Sequence, residues 1–78
     1  MMELAQYLVQ AVAEHVDSVK IDETTDEYGT LILTASVAQE DMGRLIGKGG
    51  KTVRAIRQVL RIRAIRDNVR VHFELANQ

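Results

Sequence analysis

Leu45-Ile46-Gly47-Lys48-Gly49-Gly50-Lys51-Thr52-Val53 is a glycine-rich turn with lysines and apolar residues on both sides. Glycine lacks a Cβ, reaches positive φ without strain and lets a bulky ligand approach main-chain N–H groups closely. Three of the chain's five glycines lie in this turn. From Lys51 onward the sequence takes on a helical period, so the turn delivers its amides at a helix N-terminus, where unpaired donors and the helix dipole favour an anion. Lys48 and Lys51 add positive charge at the same place. The pattern predicts a clamp for a nucleic-acid backbone; the bland counterpart is a plain connector between two helices.

Downstream of the turn, Val53, Ile56, Leu60 and Ala64 recur at the spacing of one buried helical stripe, which predicts a helix from about Gly50 to Ala64. Arg54, Arg57 and Arg61 fall at i, i+3 and i+7 on an adjacent face, with Lys51 flanking them, and put a basic stripe beside the glycines. Ile62 belongs to neither stripe: it is an exposed packing or self-association contact, or the helix frays there. Upstream, Glu40 and Asp41 suit the first turn of a short helix whose apolar face is Met42, Leu45 and Ile46. Gly43 inside it costs about 1 kcal/mol against alanine, which implies close packing on a neighbouring backbone or a very short helix.

Farther out, Leu4, Tyr7, Leu8, Ala11, Val12, His15 and Val16 carry the helical period and predict a helix from about Met2 to Val16. His15, on its stripe near the C-terminus, reads as a packing or capping residue. Val19 and Ile21 alternate with polar neighbours, as do Leu31, Leu33, Ala35 and Val37, so both stretches read as strands. Asp26-Glu27-Tyr28-Gly29 supplies turn chemistry between them and predicts an antiparallel hairpin with a loop longer than two residues. The acids from Asp22 to Glu27 read as a solvated loop whose spacing matches no calcium site. After a turn at Asp67-Asn68, Val69, Val71, Phe73 and Leu75 alternate with Arg70, His72 and Glu74 as a last strand, His72 facing away from the core. The expected fold is α+β, in the order αββααβ, a single domain over residues 1–78 with three helices on one face of a small sheet.

Composition is globular, at 46% hydrophobic and 27% charged residues. A chain of this length buries only about 60% of its unfolded surface and is marginally stable alone. Zero cysteines exclude disulfides and thiolate metal sites. No run nears about 18 apolar residues, and no basic segment precedes an apolar one at the N-terminus, so neither a membrane span nor a signal peptide is expected and the cytoplasm is the default. The net charge of −1 conceals an asymmetry. Residues 1–43 carry nine acids and one base, a net −8, whereas residues 44–78 carry nine bases and two acids, a net +7. Such a split suits a polyanion-binding side backed by an acidic side that limits indiscriminate binding. Charge pairing between the halves is the alternative.

Ile46-Gly47-Lys48-Gly49-Gly50, set between two helices, matches the I-G-x-x-G signature of the KH domain, whose GXXG loop clamps a nucleic-acid backbone. The αββααβ order resembles the type II, prokaryotic KH arrangement over nearly the whole chain, with a mixed three-stranded sheet. More narrowly, Arg44 to Thr52 and the length resemble the small stand-alone bacterial KH proteins. That resemblance implies a cytoplasmic RNA binder with a role in RNA regulation or chaperoning, which self-associates as a homodimer and works with a Jag-type RNA-binding partner. It places Gly47, Lys48, Gly49 and Gly50 on phosphates, and Ile46 and Val53 on the floor of a groove for unstacked bases. A groove edge from a strand is implied as well, without residues assigned to it. Lys51, Arg54, Arg57 and Arg44 are the expected further backbone contacts, with Arg61 beyond them.

About four nucleotides of single-stranded RNA are expected in such a clamp. Tyr7, Tyr28 and Phe73 are the only aromatics and none belongs to the loop or the basic helix, so stacking should not dominate and sequence specificity should be low. One module implies modest affinity unless a dimer or partner adds valency. Single-stranded DNA is the nearest alternative ligand, and a protein-interaction module using the basic helix the nearest alternative class. Gly50-Lys51-Thr52 copies the end of the P-loop pattern, but the first glycine of that pattern would fall on Leu45 and no strand leads in. A dinucleotide fingerprint fails because Thr52 stands where its third glycine belongs. No nucleophile–base set or metal cluster argues for catalysis, so no enzyme activity, cofactor or metal is expected.

Overall fold

The computed structural model describes residues 1–76. In chain order it comprises α1 (Met2–Val12), β1 (Lys20–Thr25), β2 (Leu31–Ser36), α2 (Met42–Ile46), α3 (Lys51–Arg66) and β3 (Val71–Leu75), with single 3₁₀ turns at Val16–Ser18, Gln39–Asp41 and Lys48–Gly50. The αββααβ order and the mixed three-stranded sheet agree with the expectation. β1 and β2 form the antiparallel hairpin, from Lys20 opposite Ser36 to Thr25 opposite Leu31. β3 joins β2 in parallel, from Leu31 beside Val71 to Ala35 beside Leu75, and is therefore an edge strand. A parallel neighbour demands a long crossover, and α2, the glycine turn and α3 together provide it.

The helices cover one face of the sheet. α1 lies on β1 and β2, α3 on β3, and α2 closes the layer against both helices. Leu33, Ala35, Phe73 and Leu75 meet Val53, Ile56 and Leu60 there, so the α3 stripe read from periodicity is the stripe that is buried. The helix runs two residues past the expected Ala64. It stops in a Schellman motif: Asn68 takes φ 57°, its N–H donates to the Ile65 carbonyl, and the Val69 N–H donates to that of Ala64. Val69 is consumed by this stop, which is why β3 begins at Val71 and not at Val69. Because α3 continues through Arg66, fraying does not account for Ile62, which is 68% exposed on a regular helix. Nothing stands within 4 Å of a Cβ built on Gly43, so that glycine reflects the shortness of α2 and not close packing.

Three expectations are corrected. The first concerns α1, which ends at Val12, four residues before Val16. The Glu14 and His15 N–H groups, which would otherwise continue the helix, donate to Asp41 Oδ1 and Oδ2 at 3.0 and 2.9 Å. Asp41, at the start of α2 as expected, is also a buried fastener, 1% exposed, holding the end of α1 to it. The second concerns the α1 stripe. Its centre is Ala5 and Val9, flanked by half-buried Leu4, Leu8 and Val12, while Tyr7 is 70% exposed and Ala11 and Val16 also face solvent. The ring of His15 is likewise half exposed, 3.8 Å from Glu40. The third concerns the acids after Ile21: Asp22 and Glu23 belong to β1, which runs to Thr25, leaving only residues 26–30 as loop. Their backbones pair with β2 while their side chains remain in water, so polarity alone misled the boundary.

Burial would raise the Asp41 carboxyl, but the hydrogen bonds from His15 and Glu14, together with the charges of His15 and Arg44, hold it below the ordinary carboxylate value. A lowered folded value means that this group's contribution to stability is complete above about pH 4 and is lost as the pH falls through the lowered value. Thermal melts from neutral to acid pH should therefore show a stability decline below about pH 4 that Asp41→Asn lacks.

Candidate nucleic-acid interface

Between α2 and α3 the chain reverses through backbone states that favour glycine. Gly47 sits at φ 71°, ψ 169°; Gly49 at φ 65°, ψ 20°; Gly50 at φ 76°, ψ 16°. The Gly47 N–H ends α2 by donating to the Gly43 carbonyl at 2.9 Å, and the Gly50 N–H donates to the Gly47 carbonyl at 3.1 Å. Lys51 N–H closes the turn on the Lys48 carbonyl. Lys48 and Gly49 lead this turn, ahead of the first coil of α3, and both are exposed. Of the four expected backbone donors, those of Gly47 and Gly50 are thus occupied within the fold, while Lys48 and Gly49 are exposed, with the exposed Lys51 following them. Free N–H groups ahead of a helix form a concavity suited to an anion.

The arginines differ from one another in a way their spacing does not reveal. Arg54 donates from Nη2 to the Gly49 carbonyl at 2.9 Å, so it braces the turn from the first coil of α3. Arg57 donates from Nε to the Phe73 carbonyl at 3.0 Å. Arg44 is ion-paired, 2.8 Å from Glu14 and 3.8 Å from Asp41, on the α1 side of the molecule. Lys48, Lys51, Arg54, Arg57, Arg61, Arg66 and Arg70 have no carboxylate within 4.0 Å among the described residues. Charge pairing between the acidic and basic halves therefore occurs at Arg44, while the basic face of α3 stays unneutralised.

Ile46 is half-buried beside the turn, but Val53 is only 3% exposed. Val53 supports the turn from the core, beneath any surface a ligand would touch. β3 is the sheet's edge strand nearest α3, and its outer edge is open among the described residues. Arg70 C=O accepts from Leu31 and Ala76 N–H donates to Ala35, so even-numbered residues of β3 direct their main-chain groups to β2 and odd-numbered ones direct theirs outward. The Arg57 bond to the Phe73 carbonyl agrees with that polarity. Arg57 thus joins α3 to the outer edge of β3. Among the described residues no group of three His, Cys, Asp or Glu side chains could hold a metal ion, and no helix is long and apolar enough to cross a membrane.

Comparison with known proteins places this arrangement among relatives. A family model described as KhpA/KhpB, KH domain, matches residues 2–75. The "RNA-binding protein KhpA" of Clostridium acetobutylicum is 37% identical over 75 residues, 96% of this chain and 99% of the relative. The protein of the same name from Chlamydia pneumoniae is 37% identical over 78 residues, 100% of this chain and 99% of the relative. That from Borreliella burgdorferi is 36% identical over 74 residues, 95% and 89% of the two chains. No solved structure gives a significant match.

Proposed function

We propose that this chain, which belongs to the KhpA/KhpB KH-domain family, a non-catalytic class, binds RNA by clamping the backbone of a single strand on its Gly47-Lys48-Gly49-Gly50 turn. The observation that carries this reading is the exposed, positive-φ glycine turn at the start of α3, set beside Lys48 and Lys51, which have no carboxylate within 4.0 Å among the described residues. About four nucleotides occupy the groove. Lys48 and Lys51 neutralise phosphate, Arg54 and Arg57 offer their remaining N–H groups to the backbone, and the bases turn toward Ile46, with Val53 beneath, and toward the β3 edge. Arg44 joins them when its exposed pair with Glu14 opens, since exposed ion pairs are worth little. Sequence specificity is low and the role is RNA regulation or chaperoning in the cytoplasm. Binding of a short single-stranded RNA should weaken with salt, with a slope of log K on log salt near about −2 for roughly three neutralised phosphates. A slope near zero would exclude the electrostatic clamp.

Self-association is favoured by a separate observation. Ala55, Val59 and Ile62 form an exposed apolar line on the side of α3 turned away from the core. A second copy of the chain covers it in a homodimer, and a Jag-type RNA-binding partner uses the same face. Such a line is short, so one charge in its middle suffices to disrupt it. Ile62→Glu should convert the species seen by sedimentation to monomer with little change in melting temperature. Unchanged sedimentation would remove α3 from the interface.

A further inference from the structure

Two adjoining clefts, each about 510 Å³, lie at the end of the molecule where α3 stops, away from the glycine turn. Arg61, Ile65, Val69 and Arg70 line the first, and Tyr28, Gly29, Asn68, Val69 and Arg70 the second, so Val69 and Arg70 belong to both. Arg61 stands ten residues into α3, about 15 Å from its start, on the face that also carries Arg54 and Arg57. The first cleft therefore lies on the same side of α3 as Arg54 and Arg57, beyond the reach of the turn's own amides. Neither Arg61 nor Arg70 has a carboxylate within 4.0 Å among the described residues. Tyr28 is 78% exposed, and its loop is held in shape by Asp26, whose Oδ1 accepts from the Tyr28 and Thr30 N–H groups at 2.8 and 2.9 Å. The Leu31 N–H bond to the Arg70 carbonyl, 2.9 Å, ties that loop to the α3–β3 connection. A rigidly mounted, exposed aromatic ring beside a free guanidinium has the chemistry of a stacking platform for a base with a phosphate contact next to it.

We propose that Arg61, Arg70 and Tyr28 form a second RNA subsite, which takes a nucleotide of the same strand after it leaves the clamp: Arg61 and Arg70 hold phosphate while the base stacks on Tyr28. The inference rests on the clamp reading and extends its footprint past about four nucleotides. It also gives Tyr28 a role that its position in sequence, remote from the turn and the basic helix, does not suggest.

The experiment compares uridine oligomers of about four and about eight nucleotides against the full chain. The longer oligomer gains some affinity merely from its larger number of registers, so variants define the gain due to the subsite. Tyr28→Ala should lower affinity for the longer oligomer about tenfold and leave the shorter one unchanged, with Tyr28→Phe retaining the gain. Arg61→Ala with Arg70→Ala should flatten the salt slope for the longer oligomer by about 1.4, two contacts at about 0.7 each, and leave the shorter oligomer's slope unaltered. In a Tyr7→Phe background Tyr28 is the one remaining tyrosine, and its fluorescence should be quenched by the longer oligomer only. All three side chains are exposed, so these variants keep their melting temperatures. Equal losses for both lengths, or none for either, would overturn the subsite and leave the clamp standing. Failure of the unmodified chain to bind the shorter oligomer would overturn the clamp, and the subsite with it.

Discussion

Replacing Lys48 and Gly49 together by aspartate is expected to abolish RNA retention while circular dichroism and melting temperature stay nearly unchanged. The two changes remove one cation and place two anions beside the Lys48 and Gly49 N–H groups, the donors that the proposed clamp offers to phosphate. Hydrogen bonds to charged groups are worth roughly 1.5–3 kcal/mol each, so losing two and adding repulsion should cost more than about 100-fold in affinity. The fold should tolerate the change. Lys48 is exposed, a Cβ at Gly49 meets nothing within 4 Å, and φ 65°, ψ 20° is a left-handed state that aspartate visits more readily than most residues. Normal filter retention of single-stranded RNA by the doubly substituted protein would show that the turn is not the clamp.

Gly47→Ala should behave in the opposite way, destabilising the protein by about 3 kcal/mol, the strain of a backbone state that is essentially glycine's alone plus a steric clash. A Cβ at this position would collide with the Thr52 hydroxyl and lie 2.8 Å from Thr52 Cβ and 2.9 Å from the Thr52 backbone nitrogen. The hydroxyl could rotate away, but the nitrogen belongs to the first turn of α3 and moves only with the helix. For a domain of this size the loss corresponds to a fall of roughly 10–20 °C in melting temperature. Gly50→Ala, at φ 76° with open space around its Cβ, should cost only about 1 kcal/mol. Similar melting temperatures for the two variants would mean that Gly47 is interchangeable with the other glycines, contrary to its packing against Thr52.

The four glycine-turn residues illustrate how much of the site could be read in advance. Their type and spacing pointed to exposed amides between two helices, because positive φ is a property of the residue itself and the following helix announces its own start. Which amides the fold occupies was not legible, since that depends on the Gly43 and Gly47 carbonyls that accept from Gly47 and Gly50. The arginines were harder still. Arg44, Arg54, Arg57 and Arg61 are chemically identical in the sequence, yet one is paired with Glu14, one braces the Gly49 carbonyl, one reaches the β3 edge and one lines the cleft at the far end of α3. Tyr28 was set aside for its distance along the chain from the basic helix, and the fold returns it to Arg70 through the hairpin loop.

Periodicity identified every helix and strand because the alternation of water and core along an element is written locally, residue by residue. Val53, Ile56, Leu60 and Ala64 needed no partner to be recognised as a stripe, nor did Leu33 and Ala35. The charge asymmetry and the glycine signature were equally local. The end of α1 was not, because the Asp41 carboxylate that captures the Glu14 and His15 N–H groups lies 27 and 26 residues away. The rotation of the α1 stripe, the outward edge of β3 and the meeting of Tyr28 with Arg70 have the same character. Each depends on which surfaces come together when the apolar faces are buried, and a bond between distant residues leaves no period in the chain from which to foresee it.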